Sequence, residues 1–208
     1  MPDVVVVGGG LAGLTAADAL HGAGLSVAVL EARRSIGGRV KTLVPEGLGE
    51  RAWFDLGATW HWTDQPAVRK LAADLGIDVF PQFREGRALV EDGPGEPPRP
   101  VDLPPPSPAE LRFVGGGQAL CHRLAARVGE GRVSLGTEVT AVTAEGDGMR
   151  VIAARDAGDE LHLPCSFVVV AVPPRLVAAG IAFAPPLPEP VLRAMEGTPT
   201  WMATALKV

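Results

Sequence analysis

The stretch VVVVGGGLAGL, residues Val4 to Leu14, restricts what this chain can fold into more than any other feature of it. Four β-branched residues without polar alternation read as a parallel strand buried on both faces. A GxGxxG spacing follows at once, with Gly8, Gly10 and Gly13, and the small residues of LAGLTAADALHGAG continue as a helix ending near Gly22 or Gly24. LSVAVLE then reads as a second buried strand. Strand, glycine turn, helix and strand within about thirty residues form a βαβ unit, whose crossover is expected to be right-handed. In such a turn the first glycine permits the tight bend and the second lets the backbone approach a pyrophosphate. The third lets helix and strand pack closely, and the helix N-terminus attracts the phosphates. Glu31 closes the second strand, roughly twenty residues beyond the first glycine, where a carboxylate accepts hydrogen bonds from both ribose hydroxyls of an adenosine and repels a 2′-phosphate. The fingerprint alone leaves NAD and FAD open.

Composition removes several other classes of function. The net charge of −5, with basic residues interspersed among acidic ones, offers no footprint for a polyanion, so no nucleic-acid partner is expected. The two cysteines, Cys121 and Cys165, lie far apart and outside any CxxC arrangement, which suggests neither a disulfide framework nor a thiolate metal site and fits a reducing compartment. His21, His122 and His162 are dispersed, so no metal is expected. MPDVVVVGGG lacks the basic start and long apolar stretch of a signal peptide. The longest other apolar run, FVVVAV from Phe167 to Val172, is far short of the roughly 20 residues of a membrane-spanning helix. The expectation is a cytoplasmic protein without a membrane partner.

Beyond the opening unit, Trp53 to Trp62 (WFDLGATWHW) reads as a strand running into a turn. Pro66 to Leu75 reads as a helix with Pro66 near N1, Val68, Leu71 and Leu75 on one face, and Gly76 closing it. Prolines exclude helix and central strand from Gly93 to Pro108, which reads as an exposed, partly polyproline linker. GGGQALCHRLAARVGEG predicts a helix with Leu120, Leu124 and Val128 on one stripe. The period then changes to two, predicting a short antiparallel meander with a hairpin signal at Asp147-Gly148, before FVVVAV re-enters a buried sheet. After it come a short helix, a loop and a strand beginning near Met202.

The segment LEARRSIGGRVKT places a second diglycine, Gly37-Gly38, and Arg39 shortly after Glu31, and an NAD fingerprint requires nothing there. Here the chain resembles the flavin-containing amine oxidases, and more broadly the FAD-dependent oxidoreductases that include phytoene desaturases and protoporphyrinogen oxidases. DLGATWHW is similar to the family segment beside the flavin ring, with Gly57, Ala58, Thr59 and Trp60 at matching positions. FVGGGQALCHRLAARV and VVVAVPPRLVAAGIAFAPPLP are also similar to family segments, and GTEVTAV to the strand whose backbone, at Val139, meets the adenine.

The resemblance implies an α/β fold, in which a Rossmann-like FAD-binding domain, a parallel sheet with an antiparallel β-meander, is joined to part of a substrate-binding domain. The expected division is residues 1–62 and 111–183 for the FAD-binding domain, 63–110 for a substrate-domain insertion carrying the Pro-rich loop, and 184–208 for the start of the substrate domain. It implies FAD held at Gly8, Gly10, Gly13, Glu31, Arg33, Gly38, Arg39, Gly57, Ala58, Thr59, Trp60 and Val139. Neither cysteine matches the one that carries flavin covalently in some relatives, so noncovalent FAD is expected. The implied reaction is oxidation of a small amine to an imine by hydride transfer to flavin, with dioxygen as acceptor. The alternatives are a desaturase or protoporphyrinogen oxidase-like reaction, or a noncatalytic FAD-binding module. Family members are longer, and the part beyond ATALKV supplies their lysine near the flavin and their aromatic substrate walls. This chain contains no tyrosine. Lys207 resembles a structural strand lysine, His61 and Trp62 read as packing groups, and no catalytic residue is assigned. A second polypeptide supplying the C-terminal half, or a homodimer, is the implied partner.

Overall fold

The computed structural model describes residues 1–47, 52–129 and 131–199. Strand β1 (Val4–Val7), helix α1 (Leu11–Gly22) and strand β2 (Val27–Leu30) form the expected βαβ unit, with β1 and β2 parallel and Val4 opposite Val27. The unbroken apolar run of β1 has a direct cause. Its pleat sends Val4 and Val6 into one apolar core with Leu14 and Ala17 of α1, and Val5 and Val7 into a second core with Val139, Val142 and Val151.

The next segment is built from short pieces. β3 (Thr42–Leu43) pairs antiparallel with β4 (Phe54–Asp55), whereas β5 (His61–Trp62) belongs to a different sheet. The single strand expected over Trp53 to Trp62 is therefore divided, because the backbone N–H groups of Leu56 and Gly57 both turn back onto the Lys41 carbonyl. Helix α2 (Pro66–Asp74) starts with proline in its first turn and gives way at Leu75 to Gly76, whose φ of +64° suits glycine. Leu75 is buried, and Val68 and Leu71 pack against the same core as α1. β6 (Val79–Pro81) leads to an exposed ribbon of β7 (Ala88–Val90) and β8 (Arg99–Val101), with Leu89 opposite Pro100. The Pro-rich segment is thus a linker only in part. Prolines kept it out of a central strand, but a two-stranded ribbon needs no donor on its outer side. β9 (Glu110–Phe113) then runs between β5 and β6 in a three-stranded sheet.

Helix α3 (Gln118–Val128) carries the expected stripe, with Leu120, Leu124 and Val128 buried against the α1 core. β10 (Val133–Ser134) joins β2, and β11 (Thr137–Glu145), β12 (Gly148–Arg155) and β13 (Glu160–Cys165) form the antiparallel meander. Its first turn is Gly146-Asp147 rather than Asp147-Gly148. Gly146 takes φ +57°, while Gly148 already pairs with Glu145.

β14 (Phe167–Val170) lies parallel to β1, giving the sheet order β10-β2-β1-β14. Among the described residues it is an edge strand and not a buried one: Phe167 is 67% exposed and Val170 36%. An all-apolar run does not reveal which of its faces the fold covers. After α4 (Pro174–Gly180), the expected loop instead holds β15 (Ala182–Ala184), parallel to β11, and α5 (Glu189–Gly197). The prolines around α5 suggested a loop, yet a proline in the first turn removes no helical hydrogen bond. The strand expected near Met202, and with it Lys207, lies outside the described residues. Among the described residues no helix is long and apolar enough to cross a membrane.

Candidate functional site

The three glycines of the turn between β1 and α1 stand in different surroundings. Gly8 sits at φ +106° and its N–H donates to the Leu30 carbonyl at 2.8 Å, fastening the turn to β2. A Cβ on Gly13 would stand 2.0 Å from the Gly8 carbonyl oxygen, so only glycine lets α1 pack this close to the turn. Gly10 differs from both: a Cβ there would meet nothing nearer than the Gly37 oxygen at 4.0 Å. Among the described residues no side chain caps α1, and no acidic residue occupies its first turn, so the first N–H groups of the helix are left open to a ligand.

Glu31 is buried beside this turn. Its Oε2 accepts the Gly9 N–H at 2.7 Å and its Oε1 accepts the Arg33 N–H at 2.9 Å. Each carboxylate oxygen keeps a second acceptor position. The Glu31 main chain is bound on both sides, its N–H donating to Ser134 and its carbonyl accepting from Thr137. Glu31→Gln sets an amide NH₂ against one of two backbone N–H groups. It is expected to destabilise the folded chain by about 1–2 kcal/mol. Urea unfolding checks this, and an unchanged midpoint would contradict the geometry.

The second diglycine folds directly onto the first. The Gly37 N–H donates to the Gly9 carbonyl at 2.9 Å, Gly10 and Gly37 form a parallel β-bridge, and a Cβ on Gly38 would stand 3.5 Å from Gly10 Cα. Arg33 and Arg39 extend exposed side chains from the same loop. The Arg39 carbonyl accepts the Ala58 N–H at 2.9 Å, and a Cβ on Gly57 would fall 2.0 Å from that oxygen. The segment Gly57–Trp60 is therefore laid against the diglycine loop, with Thr59 buried and its hydroxyl donating to the Gly57 carbonyl at 3.2 Å. Trp60 is half exposed, and its indole N–H donates to Gln82 at 2.7 Å. Val139 is buried in the second core, at the β11 bulge and two residues beyond the Thr137 that binds Glu31.

Tertiary contacts add residues that the sequence reading passed over. Asp55 accepts from the Thr42 hydroxyl, from the Gly117 N–H at 2.9 Å and from the Arg112 guanidinium at 3.2 Å. Gln118 donates to Ile36 and accepts from Thr42. A glutamine directly after GGG at a helix start was the available signal. His61 is buried and stacks on Phe113 with ring centroids 4.3 Å apart. Burial first, and the Arg69 charge second, hold its pKa below the usual imidazole value, so it is neutral at pH 7. Trp62 lies at the surface. Burial raises both thiols, Cys121 to about 12. Among the described residues no group of three or more His, Cys, Asp or Glu is placed to hold a metal ion.

The family model for flavin containing amine oxidoreductases matches residues 11–112 and 107–208. The chain belongs to that family. The chain is 42% identical over 89 residues to the probable flavin-containing monoamine oxidase A of Dictyostelium discoideum, an alignment covering 43% of this chain and 19% of that protein. It is 43% identical over 93 residues to the putrescine oxidase of Kocuria rosea, covering 44% and 19%. Among solved structures, putrescine oxidase bound to putrescine superposes with a TM-score of 0.75 at 24% identity, over 94% of this chain and 63% of that one. Cyclohexylamine oxidase from Brevibacterium oxydans superposes with a TM-score of 0.75 at 18% identity, over 93% and 62%. The chain thus spans less than two thirds of these relatives' length. FAD, the cofactor of a flavin-containing amine oxidoreductase, fits the residues present. Gly10 offers a face that a Cβ would cover, beside an uncapped helix N-terminus and a carboxylate held in place by backbone donors.

Proposed function

We propose that this chain is the FAD-binding part of an enzyme that oxidises small amines to imines, with dioxygen as the electron acceptor. The observation that carries the reading is the bridge between Gly10 and Gly37, which lays two glycine turns edge to edge at the start of α1. One such turn serves any dinucleotide; the second is what flavoenzymes of this kind add. Gly8, Gly10, Gly13, Gly38 and Arg39 would hold the pyrophosphate of FAD, Glu31 and Arg33 its ribose, and the Val139 backbone its adenine. Gly57, Ala58, Thr59 and Trp60 would line the side of the site that takes the flavin ring. When bound, FAD supplies the two-electron chemistry, accepting a hydride equivalent from the carbon next to a neutral amine. The chain's own part is to fix the cofactor and to cover one side of it. Neither cysteine of this chain suits a covalent flavin link, since Cys121 and Cys165 are buried thiols with raised pKa values, so these residues would hold FAD noncovalently. The remaining substrate walls lie outside these 208 residues, in further chain or in a partner, and the β14 edge exposed among the described residues is a surface either could cover.

Anaerobic mixing tests the reading. The purified chain with FAD is expected to keep its flavin oxidised with amines alone and to bleach once a C-terminal amine oxidase polypeptide is added. Tighter binding of NAD than of FAD overturns the cofactor assignment. Oxidation of a carbon–carbon bond in place of an amine favours the desaturase reading, and no bleaching with any partner favours a noncatalytic module.

A further inference from the structure

We propose that Gln118 is a positioning residue that straps the second glycine loop into the shape it presents to a cofactor phosphate; this rests on the FAD reading of the site. Its side-chain amide spans the mouth of the loop. Nε2 donates to the Ile36 carbonyl at 2.7 Å, and Oε1 accepts the Thr42 N–H at 2.9 Å, so one planar group ties the residue before Gly37 to the residue that ends the loop. Between these points the loop has a single internal backbone bond, from the Val40 N–H to the Gly37 carbonyl. The amide also lies across Gly37. A Cβ there would come within 3.1 Å of Gln118 Cγ, and Gly37 sits at φ +113°, so the glycine makes room for the strap as well as for the turn.

The strap is anchored to the rigid part of the molecule. Gln118 is the first residue of α3 and is buried; its own N–H donates to Thr42 Oγ1 at 3.1 Å. The same hydroxyl donates to Asp55, which also accepts the Gly117 N–H. The N-terminus of α3 is thus capped by side chains up to 76 residues away in sequence, and its apolar stripe is locked into the α1 core. The position of α3 is thereby passed to the loop carrying Gly37, Gly38 and Arg39. Only an uncharged amide of this length both donates and accepts across that gap. Glutamate keeps the acceptor and loses the donor, and methionine keeps the shape and loses both.

Hydrogen exchange of the cofactor-free chain and FAD titration of Gln118→Met and Gln118→Glu decide the matter. In Gln118→Met, exchange at the loop amides 37–42 is expected to rise on the order of tenfold, with β11 to β13 unchanged and FAD affinity falling about tenfold, the effect of two lost hydrogen bonds. Gln118→Glu is expected to keep the Thr42 amide protected and still lose affinity. Unchanged loop exchange in Gln118→Met overturns the strap. Faster exchange throughout the chain, or a loosened loop with undiminished affinity, overturns its role in presenting the loop. Should the unaltered chain bind no FAD, the cofactor reading fails, while loop exchange still reads the strap.

Discussion

Gly10→Val is expected to yield a folded protein that retains no FAD, whereas Gly13→Val should fail to fold stably. The two glycines lie three residues apart in one motif, and the space around them sets opposite outcomes. At Gly10 the backbone is extended, with φ −79°, and a Cβ meets only the Gly37 oxygen at 4.0 Å. Valine therefore fits the protein and obstructs only what would approach that face, and the expected loss of FAD affinity is at least on the order of 100-fold. At Gly13 a Cβ stands 2.0 Å from the Gly8 carbonyl oxygen and 3.2 Å from Ala171 Cβ. The carbonyl belongs to the tight turn and the alanine to the segment following β14, so relief requires α1 to move off the sheet. Overpacking of this kind costs about 3 kcal/mol or more, out of a total stability of about 5–15 kcal/mol. Circular dichroism with urea unfolding reads the fold, and the visible flavin spectrum after reconstitution reads the site. Gly10→Val with wild-type flavin content would remove the pyrophosphate assignment, and Gly13→Val with wild-type stability would contradict the packing.

Asp55→Ala should cost about 3 kcal/mol of stability, far more than an ordinary surface substitution. The Asp55 side chain is 1% exposed and its partner Arg112 is 24% exposed. Truncation leaves a partly buried guanidinium without its carboxylate and takes the shared acceptor from the Thr42 hydroxyl and the Gly117 N–H. The elements these bonds join, the β3/β4 ribbon and the start of α3, are those that hold the diglycine loop and the Gly57–Trp60 segment together. Asp55→Asn keeps one acceptor and should lose less. Urea midpoints measure both. A midpoint for Asp55→Ala equal to wild type would mean that the network contributes nothing net.

Local patterns were legible where one cause dominates. The GxGxxG turn, the carboxylate after β2 and the 3.6-residue stripe of α3 each follow from backbone geometry or periodicity within a few turns of chain. Burial that depends on distant partners is not legible in local sequence. Phe167 to Val170 is uniformly apolar, yet it ended at a sheet edge, because hydrophobicity states that a strand prefers cover and not which face receives it. α5 was hidden among prolines that suit a helix's first turn as well as a loop. The Gly146-Asp147 turn was displaced by one residue, since neighbouring glycines compete for the position with positive φ.

The sequence by itself determined the βαβ unit and its glycine turn, because that turn is built from contiguous residues whose lack of side chains lets the backbone close up. The second diglycine carried the resemblance to flavin enzymes. Only the tertiary structure decided how those turns are held. The Gly10–Gly37 bridge, the anchoring of Ala58 to Arg39 and the Asp55 and Gln118 contacts join residues up to 82 positions apart. Many of their partners are backbone N–H and C=O groups, which no side-chain pattern announces, and the Thr42 and Arg112 side chains that Asp55 meets stand 13 and 57 positions from it. They become specific only when packing of the α1 core brings α3 against the loop.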